Sequence, residues 1–96
     1  MPDAQPFLSA FHPVEEGWID YNGHMNMGYY TVLFDRCADE AFEEMGFGPD
    51  YRATRNLTTF SAEFHIRYLR EVKLGDQLRS SFYLLDHDGK RFHFFQ

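Results

Sequence analysis

Two different periods of apolar residues divide this chain. From Met27 to Met45 apolar side chains recur every three or four positions. Tyr30, Leu33, Phe34, Cys37, Ala38, Ala41 and Met45 share one face, with Arg36, Asp39, Glu40, Glu43 and Glu44 on the other. That spacing predicts an amphipathic helix. Gly46, Gly48 and Pro49 follow it. Glycine fits a left-handed cap and proline cannot continue the ladder, so the helix should stop there. Further on, Phe60, Ala62, Phe64, Ile66 and Tyr68 alternate with Ser61, Glu63, His65 and Arg67. Period two predicts a half-buried strand over residues 59–69. Leu74-Gly75-Asp76 turns the chain into a second strand over 77–86, and Asp88-Gly89 signals a hairpin into a third over 90–96. Upstream, Phe7 to Val14 alternates loosely and is interrupted by Pro13, which predicts an edge strand. Gly17 to Asn26 reads as a loop and Asp50 to Leu57 as a polar connection.

Strand, loop, long helix and consecutive antiparallel strands make an α+β class. The helix has a wide apolar face and must lie on one face of the sheet. One helix cannot cover both faces and every edge, so association into at least a homodimer, or a homotetramer, is expected. The sequence stops at Gln96, directly after Phe92-His93-Phe94-Phe95. Residues 1–96 therefore read as a single domain, incomplete at its C-terminus.

Composition narrows the function classes. The 96 residues carry a net charge of -6, so a domain-wide basic footprint for nucleic acid is absent. No apolar run approaches the ~20 residues that a membrane span requires. The N-terminus lacks the basic and apolar regions of a signal peptide, and a cytoplasmic location is expected. The single cysteine, Cys37, excludes an internal disulfide and a multi-cysteine metal site. On the apolar helix face it reads as a buried, inert thiol. Charge is uneven along the chain. Residues 1–51 hold one cation against ten acids, and residues 52–96 hold eight cations against five acids. A local basic surface in the second half could hold a phosphate-bearing ligand, or could simply be a solvated sheet face.

The loop before the helix holds the best chemical candidates. Asp20, His24 and Asn26 fall within seven residues, just ahead of Met27 and Gly28. A helix start presents unpaired N–H groups and a positive dipole end, which can hold an oxyanion. A carboxylate beside it can attack a carbonyl carbon or activate water. The residues alone allow a plainer reading, with Asp20 a turn acid and Asn26 a helix cap.

The run Asp20-Tyr21-Asn22-Gly23-His24-Met25-Asn26, followed by Tyr30 and Phe34, resembles the Asp-x-x-Gly-His-x-Asn loop of hotdog-fold acyl-CoA thioesterases of the 4-hydroxybenzoyl-CoA thioesterase-like superfamily. The stretch from Phe64 to Asp76 is similar to the second strand and following turn of that family. The resemblance implies an antiparallel sheet wrapped around one central helix and hydrolysis of an acyl-CoA thioester. It gives Asp20 the role of nucleophile or general base, and the amides near Met27 and Gly28 the oxyanion site. His24 and Asn26 match the motif, with duties that vary across the family. Coenzyme A would be part of the substrate, and no separate cofactor or metal is implied. A narrower resemblance links Trp18 to His24, and Glu63 to Gly75, with thioesterases of carnitine breakdown that hydrolyse betainyl-CoA. Trp18, Tyr21 and Tyr29 would suit a quaternary ammonium through their ring faces, or would be packing.

Other positions carry less. Glu63 could supply a second carboxylate, or stand solvated beside His65 on the strand. Arg67, Arg70 and Lys73 could hold coenzyme A phosphates or serve the surface. Asp20 and His24 make a poor metal site with two ligands in one loop. Asn56-Leu57-Thr58 fits a glycosylation sequon without any sign of secretion. Two other functions stand beside the thioesterase: a non-catalytic hotdog module that binds acyl-CoA or only dimerises, and a dehydratase, which the Asp-x-x-Gly-His arrangement fits less well.

Overall fold

The computed structural model describes residues 5–47 and 60–96. Its element order is β1 (Phe7–Leu8), β2 (His12–Pro13), a 3-10 turn (Glu16–Trp18), α1 (Met27–Glu44), β3 (Gln77–Leu78), β4 (Ser81–His87) and β5 (Phe92–Phe95). The helix starts where the period changes and ends one residue before the expected Met45. Its end is set by three backbone bonds. Met45 donates to Ala41, Gly46 to Glu43, and Phe47 to Phe42 at 2.7 Å. The last two form a Schellman cap, and Gly46 supplies its left-handed residue at φ +86°. Gly48, Pro49, the connection over 50–57, the Asn56 sequon and residue 59 lie outside the described residues.

The strands pair antiparallel in the order β1-β4-β5, with β2-β3 as a separate two-stranded ladder. Asp88-Gly89 closes the β4–β5 hairpin as expected. Asp88 Oδ1 accepts from the Lys90 and Arg91 amides, each at 2.7 Å. Two expected strands are each split in two. Phe7–Val14 becomes β1 and β2, and 77–86 becomes β3 and β4. The break on both sides is a serine pair: Ser9 N–H donates to Ser80 O at 2.9 Å, and Ser80 N–H donates to Ser9 Oγ at 2.9 Å. A side-chain acceptor replaces a backbone one and interrupts the ladder.

One expectation fails. Residues 60–69 form no strand, and among the described residues no strand runs beside them. Phe60 is 89% exposed and Phe64 69%. Period two says which side chains share a face, but a ladder also needs a neighbour to accept its hydrogen bonds.

The apolar face of α1 is covered by two clusters. Near its start, Val14, Trp18, Met25, Leu33 and Cys37 pack together. Near its end, Ala38 and Ala41 meet Phe82. The two alanines are small enough to admit a stack of rings. Phe82 and Phe94 lie 4.5 Å apart, and Phe42 meets both edge-on at 5.9 Å. Helix and sheet are also tied by polar contacts. Glu40 accepts from Ala10 N–H at 2.8 Å and pairs with His12 at 2.6 Å.

Candidate active site

The site-bearing loop folds back on itself before α1 begins. Gly23, at φ +84°, makes the turn that L-residues rarely make. Asp20 N–H donates to His24 O at 3.1 Å, and Gly23 N–H donates to Asp20 O at 3.0 Å. Ile19 and Met25 form a bridge, and Asn26 N–H reaches Trp18 O at 2.9 Å. This small closed loop brings Asp20, His24 and Asn26 together, as their spacing suggested.

Asn26 has two duties. Its Oδ1 accepts from Gly28 N–H at 3.0 Å, which makes it the N-cap of α1. Its Nδ2 donates to Asp20 Oδ2 at 3.3 Å. The other carboxylate oxygen, Oδ1, accepts from Asn22 N–H at 2.9 Å. Asp20 is thus held as a turn acid and aimed at the helix start by the same residue that caps the helix. The Gly28 amide is taken by the cap. Met27, the first helical residue, has no intrahelical acceptor for its N–H.

A cleft of about 510 Å³ opens here. It is lined by Asp20, His24, Met25, Asn26 and Met27 of the loop and helix start, by Tyr30 of α1, and by Tyr68, Leu69, Arg70 and Glu71. The 68–72 segment is held to the loop and helix by two tyrosine hydroxyls and one backbone bond. Tyr68 Oη donates to Met27 O and Tyr30 Oη to Arg70 O, each at 3.3 Å. Met25 N–H donates to Val72 O at 2.7 Å. Tyr30 and Tyr68 meet edge to face with centroids 5.0 Å apart. Burial pushes the Tyr30 hydroxyl above its ordinary pKa; a backbone hydrogen bond at Val72 works against this, and the nearby Glu71 adds to the rise. The group stays neutral and keeps its proton on the bond to Arg70 O.

The remaining expected residues fall elsewhere. Trp18 is 5% exposed and buried in the core, stacked on Tyr29 at 5.9 Å, with the Arg36 guanidinium 5.2 Å from its ring centre. Tyr21 is 98% exposed and Tyr29 lies outside the cleft. The three rings therefore do not form one cage. Glu63 and Arg67 are exposed and outside the cleft; of the basic candidates Arg70 lines it. Tyr30, Tyr68 and Glu71 also line the cleft, beyond the residues that the loop chemistry singles out. Glu71 is the one acid among Arg67, Arg70 and Lys73, and that break in charge was the available signal.

Cys37 is 1% exposed, and burial, opposed by a hydrogen bond with Ser9, pushes its thiol up. Its donor atom lies within 4.8 Å of those of His12 and Glu40. Both Glu40 oxygens are already engaged, by Ala10 and by His12. That trio is accounted for as the tie between β2 and α1.

Residues 14–96 match the family described as the thioesterase-like superfamily. The chain is 35% identical over 81 residues to the betainyl-CoA thioesterase of Pseudomonas aeruginosa, a stretch covering 84% of this chain and 51% of that protein. It is 37% identical over 91 residues to the L-carnitine dehydrogenase/betainyl-CoA thioesterase of Ruegeria pomeroyi, covering 95% of this chain and 18% of the other. A Staphylococcus aureus protein solved in complex with CoA superimposes with a TM-score of 0.85 at 31% identity, over 94% of this chain and 56% of that one. The expected hotdog arrangement of helix and antiparallel sheet is thus the observed one. The chain spans about half the length of the Pseudomonas aeruginosa relative.

Proposed function

Since the chain belongs to the thioesterase-like superfamily, we propose that it is an acyl-CoA thioesterase that uses Asp20 and the start of α1. The observation that carries this is the Asp20–Asn26–helix arrangement. One carboxylate is held at 3.3 Å by the residue that caps the helix, in a cleft large enough for an acyl group. The thioester carbonyl lies at the helix start, where the Met27 N–H and the dipole favour negative charge. The Asp20 carboxylate attacks the carbonyl carbon, or takes a proton from the water that attacks it. A carbon–oxygen bond forms, the carbonyl becomes an oxyanion, and its collapse breaks the carbon–sulfur bond. The thiolate leaves with the bonding electrons and becomes coenzyme A by taking the proton that Asp20 drew from water or, when Asp20 itself attacks, a proton from solvent. When Asp20 itself attacks, water then cleaves the acyl–enzyme anhydride and restores the carboxylate.

The acyl group we assign is betainyl, as in the curated relatives. Tyr30 and Tyr68 line the cleft, whereas Trp18, Tyr21 and Tyr29 do not, and we assign these two rings to the quaternary ammonium. Arg70 at the cleft wall suits a coenzyme A phosphate. A second copy of the chain would cover the exposed apolar side chains of 60–69.

Free-thiol release from an acyl-CoA panel tests this, with betainyl-CoA set against a neutral acyl-CoA of equal size. Asp20→Asn keeps the shape and removes the charge. It should lower kcat at least ~100-fold with little change in KM. If Asp20→Asn keeps more than about a third of the wild-type kcat, against that expectation, the carboxylate is not the catalytic group and the acyl-CoA-binding module becomes the better reading. Equal rates on the charged and neutral acyl groups would remove the betainyl assignment alone.

A further inference from the structure

A second carboxylate, Glu71, lines the same cleft as Asp20, with a partner near each of its oxygens. Glu71 Oε2 lies 3.6 Å from His24 Nε2, and Glu71 Oε1 lies 3.3 Å from Lys73 Nζ. The backbone on both sides of Glu71 is fixed. Arg70 O accepts from Tyr30 Oη, Val72 O accepts from Met25 N–H, and Lys73 N–H donates to Asp76 Oδ2 at 3.0 Å. The Glu71 side chain is therefore presented to the loop from a rigid base. Stability does not account for it. His24 and Glu71 side chains are 38% and 55% exposed, and pairs this open contribute little to folding. A free general base fits less well, because Oε1 is paired with the Lys73 ammonium at 3.3 Å and Oε2 faces the His24 ring.

We propose that Glu71 is a positioning residue for thioester hydrolysis, fixing the His24 ring in the cleft that Asp20 lines, with Lys73 fixing Glu71 in turn. This rests on the thioesterase reading of the Asp20 site. His24 sits on the Gly23 turn, where an imidazole without a partner could swing into solvent. Glu71 restricts it to one orientation, in which the ring can hydrogen-bond the thioester or the departing sulfur. At 3.6 Å the pair is longer than a hydrogen bond. Catalytic contacts of unliganded sites often close only when substrate enters and displaces water.

The test is a double-mutant cycle on the full chain, reading kcat, KM and melting temperature for wild type, Glu71→Ala, His24→Ala and the double variant. Glu71→Ala should lower kcat on the order of 10- to 100-fold, the scale of a misplaced catalytic group, with KM and melting temperature little changed. In the His24→Ala background the same substitution should change kcat by less than about twofold, because its effect passes through a ring that is gone. Should Glu71→Ala melt early, Glu71→Gln carries the same cycle at constant size. Wild-type kcat in Glu71→Ala, or the full loss persisting without His24, overturns this proposal and leaves the Asp20 reading standing. A wild type that releases no thiol from any acyl-CoA overturns both.

Discussion

The two ends of α1 are built on opposite principles. At the C-terminal end the helix is sealed. Ala38 and Ala41 press on Phe82, Phe42 and Phe94 close around them, and a Schellman cap satisfies the last carbonyls. At the N-terminal end the helix is left open. Its first amide has no intrahelical acceptor, its cap is shared with a carboxylate, and tyrosines bonded to backbone carbonyls line the cleft beside it. The same eighteen-residue helix thus packs along its whole apolar face, but only its N-terminal end keeps polar groups accessible. The open end is anchored locally, by Trp18 and Met25 buried beneath the loop that carries the polar groups.

The sharpest way to break this contrast is to damage the sealed end. Phe82→Ala removes a ring that is 5% exposed and should cost about 3–5 kcal/mol of unfolding free energy. Denaturant melts would read the loss. Activity per folded molecule should stay near wild type at a temperature where the variant is folded. If activity falls in step with a far smaller stability loss, the two ends are not independent.

A smaller effect is expected at the open end. Asn26→Ala removes the cap and the Asp20 partner together, and should cost about 1 kcal/mol of stability along with a fall in kcat. Asn26→Asp separates the two duties. It can still cap, since Asp accepts from the Gly28 amide, but it cannot donate to Asp20 and places a like charge beside it. Melting temperature should recover while kcat does not. Recovery of both would mean that Asn26 only caps.

The smallest effect concerns the tie between β2 and the middle of the helix. The Ala10 amide chiefly, with His12 adding and partial burial opposing, holds the Glu40 carboxyl below its ordinary value of 4.5. A depressed folded value means that the charged form stabilises the fold. This contribution is complete above the ordinary value and is lost as pH falls through the lower, folded one. Glu40→Gln should therefore melt below wild type at neutral pH, with the gap closing in acid. A gap that stays constant down through that range would assign the difference to packing instead.

The hairpin at Asp88-Gly89 and the bounds of α1 were legible in the sequence because short-range chemistry sets them. A turn dipeptide, an N-cap and a C′ glycine act within a few residues. The closeness of Asp20, His24 and Asn26 was legible for the same reason, since one loop holds all three. Of the strand expected over 59–69, residues 60–69 form none although their alternation is clear. Alternation fixes faces and leaves the choice of partner to residues far away in sequence.

Sequence by itself thus determined the helix, its caps, the hairpin and the local clustering of loop acid, imidazole and amide. Only the tertiary structure decided what stands opposite that loop. It buried Trp18 under Tyr29, turned Tyr21 to solvent, and brought Tyr68 and Glu71 to the cleft from more than forty residues away. The physical reason is range. Backbone dihedrals and neighbouring hydrogen bonds are local, whereas burial and charge pairing depend on which distant surfaces the chain happens to close against each other.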